Sequence, residues 1–141
     1  LYRDAGPPWV DSPGRIPATL HDFAKRSLQA ALADPMALSR ALGEYLTEPK
    51  PRVWFDAAAA PRRMQCLVLD RRTRMMFDDH HIFINGESYR AGGRDAALMR
   101  QLADRRCLSA DEVRRASKGA VALLASWCEA GWLHEGGAAA L

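Results

Sequence analysis

Two carboxylates and two histidines stand side by side at Asp78-Asp79-His80-His81, the densest set of metal-ligand types in the chain. Imidazole and carboxylate together suit a divalent transition metal. Their spacing argues against it, because neighbouring residues of a strand point to opposite faces and His80 and His81 could converge only across an irregular turn. The 2-His-1-carboxylate triad of iron oxygenases draws an H-x-D or H-x-E pair from one strand, and none of His21, His80, His81 and His134 begins such a triplet. His134-Glu135 lacks the second histidine of H-E-x-x-H. Gly92-Gly93 is not part of a phosphate-cradling G-x-x-x-x-G-K or G-x-G-x-x-G run. Cys66, Cys107 and Cys128 are odd in number and contain no C-x-x-C pair, which reads as reduced thiols and not as zinc or redox chemistry. A solvated turn is the reading for residues 78–81, and no catalytic, cofactor-binding or metal-ligating residue is assigned.

With the chemistry this sparse, the elements themselves carry the information. The chain has 141 residues, 48% hydrophobic and 26% charged, enough apolar material for a core without disulfides. No stretch approaches the ~20 apolar residues of a membrane helix, and Arg3, Asp4, Asp11 and Arg15 occupy the place of a signal-peptide apolar region. A cytoplasmic protein is expected. The sequence opens on Leu1 and not on methionine, which suggests a piece of something longer. Net charge is +3; residues 1–60 carry seven basic and seven acidic side chains, residues 61–141 thirteen and ten. That excess is modest for a nucleic-acid-binding domain.

Pro7, Pro8, Pro13 and Pro17 predict an extended entry arm over residues 1–17. Leu20, Phe23, Ala24, Ser27, Leu28 and Ala31 then recur at helical spacing. Asp34-Pro35 reads as an N-cap and first-turn proline opening a second helix from Met36 to about Leu46, with Leu38, Leu42, Tyr45 and Leu46 as its apolar stripe. Two helices of this size cannot cover both apolar faces alone, so packing on another domain or another copy is expected. Arg52 to Phe55 reads as an extended apolar segment and Ala57 to Pro61 as a linker.

From residue 62 the period changes to strands: Cys66–Leu69, Arg74–Phe77, His81–Ile84 and Glu87–Arg90, with Asn85-Gly86 as a strong hairpin signal. Three helices follow, over about Arg94–Arg106, after the capping box Ser109-Ala110-Asp111-Glu112, and over Lys118–Ala130, with Gly131 as a stop and Trp132-Leu133 as a closing strand. The predicted class is α+β: an N-terminal helical hairpin, residues 1–60, followed by a winged-helix-like domain, residues 61–141, built of a short antiparallel sheet and three helices. The third helix holds only Lys118, Ser126 and Glu129 as strongly polar groups, with no Arg, Asn or Gln to read a base edge. Arginines at 71–74, 105–106 and 114–115 offer at most salt-sensitive, sequence-blind contacts.

Three runs carry a resemblance: GEYLTEPKP (Gly43 to Pro51), MMFDDHHIFINGESYRAGG (Met75 to Gly93) and AGWL (Ala130 to Leu133), with the opening LYRD and the helix after Ile16-Pro17 in agreement. They resemble the C-terminal part of bacterial cupin-type JmjC ribosomal oxygenases, over nearly the whole chain. The resemblance implies a missing N-terminal JmjC domain that binds Fe(II) and 2-oxoglutarate and hydroxylates a ribosomal protein, with no cofactor held by this chain. It implies homodimerisation through residues 1–60, with Leu20, Phe23, Leu28, Leu42 and Tyr45 as candidate interface residues, and a winged helix over 61–141 used as scaffold. Trp54 and Phe55 are the candidate anchors between the two parts. The alternative is a stand-alone winged-helix nucleic-acid-binding protein; a small metalloenzyme using His80 and His81 ranks last.

Overall fold

The computed structural model describes residues 14–61 and 64–136. The arm expected over residues 1–17 therefore lies mostly outside the described residues, as do the opening LYRD and the alanines at 138–140. Two compact units are present, one ending at Ser39 and the other beginning at Arg40. The boundary expected between residues 60 and 61 thus falls inside the second unit.

Helix α1, Ala18–Ala33, lies in the first unit; helix α2, Pro35–Thr47, begins there and continues past Arg40 in the second. Asp34 separates them in an extended conformation, and its carboxylate accepts the Met36 amide at 2.9 Å, the N-cap expected there. α1 buries none of its side chains.

The second unit holds the core. Strand β1 (Leu67–Leu69) pairs antiparallel with β5 (Cys107–Leu108) on one side and β6 (Leu133–Glu135) on the other. Strands β2 (Met75–Phe77), β3 (His81–Ile84) and β4 (Glu87–Arg90) form a separate antiparallel meander. The one short sheet of the sequence reading is therefore two. The two-residue β5 is too short to show a period, and its partner lies about forty positions upstream, so local pattern could not reveal it. The chain turns from the first sheet to the second at Asp70, whose carboxylate accepts the Arg72 amide and whose carbonyl accepts the Thr73 amide.

Helices α3 (Asp95–Arg105), α4 (Ala110–Arg115) and α5 (Lys118–Glu129) pack on these sheets. α4 carries the expected capping box: Ser109 Oγ accepts the Glu112 amide and the Glu112 carboxylate accepts the Ser109 amide. α5 closes as a Schellman motif, with Gly131 at φ +74° donating to Cys128 O and Trp132 donating to Trp127 O. A Cβ on Gly131 would also strike the Asp56 carbonyl, so this glycine serves both the cap and a close backbone approach. Leu67, Leu102, Leu108, Leu124, Trp127 and Leu133 are almost fully buried at the centre.

Candidate functional site

The apolar residues of the two N-terminal helices remain uncovered. Leu28 is 65% exposed, Leu42 56% and Tyr45 74%, and Leu20, Leu32, Met36, Leu38 and Leu46 are exposed as well. Phe23 is half-buried. A helix of 16 residues with nothing buried is marginal in water, since helices in proteins are held mainly by packing of their apolar face.

α2 has a second face that is covered, and it is made of small residues. Gly43 lies against the buried Phe83 ring, so closely that a Cβ would overlap it. Thr47, fully buried one turn later, donates through Oγ1 to Gly43 O and accepts the Gly86 amide at 3.1 Å. The sequence reading took the large apolar residues of α2 as its packing signal and missed this pair. Its trace was there: a small residue and a threonine at i and i+4 on a helix that precedes a tight hairpin.

That contact also settles the state of the Asn85-Gly86 hairpin. Asn85 at φ +47° and Gly86 at φ +88° form the expected tight turn, and Asn85 Oδ1 accepts the Arg74 amide. The tip is docked on the end of α2. On α5, Leu124, Trp127 and Cys128 are buried and only Lys118, Gly119, Ala122, Ser126 and Glu129 are exposed. The exposed positions of α5 include no Arg, Asn or Gln. Burial pushes the Cys128 thiol up to about 11, so it stays protonated and inert.

The arginines of the expected basic clusters are largely spent on architecture. Arg72 makes a two-point contact with the Asp70 carboxylate at 2.9 and 3.0 Å, donates to Trp54 O, and stacks over the Phe55 ring. Hydrogen bonding by Arg72, reinforced by His134 Nε2 at 2.9 Å, holds the Asp70 carboxyl well below the usual carboxylate range. Arg106 takes a left-handed backbone, φ 62°, and its guanidinium donates to Asp70 O and Thr73 O, which offsets the strain. Arg105 pairs with Glu112 at 2.8 Å, and Arg74 donates to Leu46 O and Glu48 O.

Trp54 and Phe55 separate in role. Phe55 packs edge-on against Trp132 at 6.4 Å, whereas Trp54 is 79% exposed on a backbone that Arg72 holds in place. His80 and His81 also diverge: His80 is exposed, while His81 is buried with Nδ1 3.4 Å from Asp78 Oδ1. Burial raises the Asp78 pKa, but the amides of His80 and His81 pull it below the ordinary value. Among the described residues no three His, Cys, Asp or Glu side chains are grouped to hold a metal. No described helix is long and apolar enough to cross a membrane.

The sequence profile of the ROXA-like winged helix matches residues 27–134, most of the chain. The chain belongs to that family. Its fold is also similar to those of solved structures from Escherichia coli. The X-ray structure of ycfD aligns with a TM-score of 0.65 at 17% identity, covering 95% of this chain and 39% of that one. YcfD, described as a ribosomal oxygenase, in complex with cobalt and 2-oxoglutarate aligns with a TM-score of 0.67 at 16% identity, covering 97% of this chain and 41% of that one. The chain thus spans about two fifths of the length of these structures, and at this identity the likeness is one of fold. No curated protein matches it in sequence.

Proposed function

We propose that the chain is the non-catalytic C-terminal portion of a ribosomal oxygenase, in which the N-terminal helices dimerise the protein and the winged helix braces the substrate groove of a separate catalytic domain. Fe(II) and 2-oxoglutarate would belong to that domain, a ribosomal protein would be its substrate, and the cytoplasm its place of action. Membership of the ROXA-like winged helix family and the similarity in fold to YcfD support the assignment. The observation that carries the scaffold role is the contrast between a hairpin tip docked on α2, with a third helix whose exposed positions include no Arg, Asn or Gln, and the exposed apolar side chains of α1 and α2.

Within that reading Leu20, Phe23, Leu28, Leu42 and Tyr45 supply the dimer contact. Each large apolar side chain removed from water stabilises the association by about 1.5–3 kcal/mol. Trp54 and Phe55 anchor the two parts of the chain, a role supported for Phe55 by its packing against Trp132, while Trp54 is exposed beside it. Light scattering on the 141-residue chain tests the dimer: a mass near twice that of the chain is expected, reduced to the monomer by Leu28→Asp with Leu42→Asp. A monomer at every concentration would remove the dimer from the reading. Mobility shifts with random duplex at low salt test the alternative, and strong binding would favour it over the scaffold.

A further inference from the structure

The way α2 lies on the β2–β4 sheet can be read residue by residue. Gly43 sits over the Phe83 ring, and Thr47, one turn later, accepts the Gly86 amide. Phe83 has two cross-strand neighbours, Met76 on β2 and Ser88 on β4. Ser88 Oγ donates to Glu44 Oε1, so the side of α2 that follows Gly43 leans towards β4. Residues 42 and 46 each precede a sheet-facing position and leave the helix on the opposite side, towards β2. Arg74 agrees with this: it shares the sheet face of Met76 two residues earlier, and its guanidinium donates to Leu46 O.

Leu42, Leu46 and Met76 therefore form one apolar strip along the seam between helix and sheet. All three are exposed, Leu46 by 44% and Met76 by 46%. Two elements far apart in the sequence build this strip, and the helix alone shows only half of it.

α1 carries the matching feature. Leu20, Ala24, Leu28 and Leu32 stand four apart and make one ridge along the helix, and none of its side chains is buried. Leu42 and Leu46 are also four apart, and ridges of this kind interdigitate when helices pack. A different protein seated on the strip would leave the α1 ridge in water. A second copy of the chain supplies both surfaces: two identical contacts related by a two-fold axis close the assembly and leave neither face uncovered.

We propose that the dimer forms by exchange, the α1 ridge of each copy lying on the Leu42, Leu46 and Met76 strip of the other, so that the winged-helix unit itself enters the interface through Met76. This rests on the dimer reading and says which surfaces meet. Its rival packs α1 on α1 and α2 on α2.

Mixing two variants of the full chain separates these arrangements. Leu28→Asp with Leu32→Asp spoils the ridge, and Leu46→Asp with Met76→Asp spoils the strip. All four side chains are exposed, so melting of the winged-helix unit should not change; if the strip pair shifts it, Leu46→Ser with Met76→Ser takes its place. Analytical ultracentrifugation should find the unaltered chain dimeric and each variant monomeric at the same concentration. In an equimolar mixture one of the two contacts joins an intact ridge to an intact strip, so dimers return. Their dissociation constant should be weaker by about a hundredfold than that of the unaltered chain, because one of two linked contacts is lost. Packing of like on like leaves no intact contact in the mixture, so variants that stay monomeric when mixed overturn the exchange while the dimer stands. A strip variant that dimerises alone as tightly as the unaltered chain also overturns it. An unaltered chain that is monomeric at every concentration removes the dimer reading, and the exchange with it.

Discussion

Helices α1 and α5 are both amphipathic and of similar length, yet one buries nothing and the other supplies Leu124, Trp127 and Cys128 to the core. The difference lies in what surrounds them. α5 is capped at both ends, by Ser117 and by the Schellman turn at Gly131, and the two sheets close over its apolar face. α1 begins at Pro17 with no side-chain cap and has no acidic residue in its first turn or basic residue in its last. An amphipathic period says that a face wants burial; it does not say by what.

The largest effect that should separate the two helices comes from Trp127→Ala, which empties a buried indole site and removes its bond to Tyr89. A loss of about 3–5 kcal/mol is expected, read as the urea midpoint of the far-UV signal. Leu28→Ala in α1 should leave that midpoint nearly unchanged in dilute monomer. A comparable loss at Leu28 would mean that α1 belongs to the same cooperative unit as α5.

Gly43→Val tests the place where α2 changes from open to covered. Its side chain would overlap the Phe83 ring, and overpacking of this kind costs about 1–3 kcal/mol. The amide of Gly86 should then exchange faster in hydrogen–deuterium measurements, because its acceptor, Thr47 Oγ1, moves with the helix.

Smaller effects come from the α4 cap. Ser109→Ala should cost about 1 kcal/mol in the same unfolding measurement. The Ser109 amide, with help from Arg105, draws Glu112 from 4.5 down to about 2. A carboxylate with a lowered folded pKa stabilises the fold fully above its unfolded value, and that contribution fades as pH falls from about 4.5 towards 2. Asp70, held down by Arg72, adds to the same loss. Melting temperature should therefore drop over this acid range. Glu112→Gln should be less stable at neutral pH and flatter in acid.

The elements were legible because their signals are local. The Ser109–Glu112 box, the Asn85-Gly86 turn, the Gly131 stop and the Asp34 cap each involve residues within a few positions of one another, and all four stand as read. The helices following Pro17 and Asp34 were visible from their period for the same reason. Pairing across long separations was not legible: β1 with β5, Thr47 with Gly86, and Phe55 with Trp132 and Arg72 leave no mark in local pattern. The partners of the arginine runs were not legible for a related cause, because charge along a sequence does not show which carbonyls or carboxylates will meet it.

By itself, the sequence determined which segments form the helices and every strand but β5, that no recognised catalytic motif is spelled out, and which family the chain resembles. Periodicity, caps and turn residues act over a few positions through the backbone's own hydrogen bonds. Tertiary structure decided which apolar faces are covered, that the hairpin tip is docked on α2, and that the arginines serve the fold before any partner. Those outcomes depend on close packing and on desolvated hydrogen bonds between residues far apart in the chain, and only the folded backbone brings such residues together.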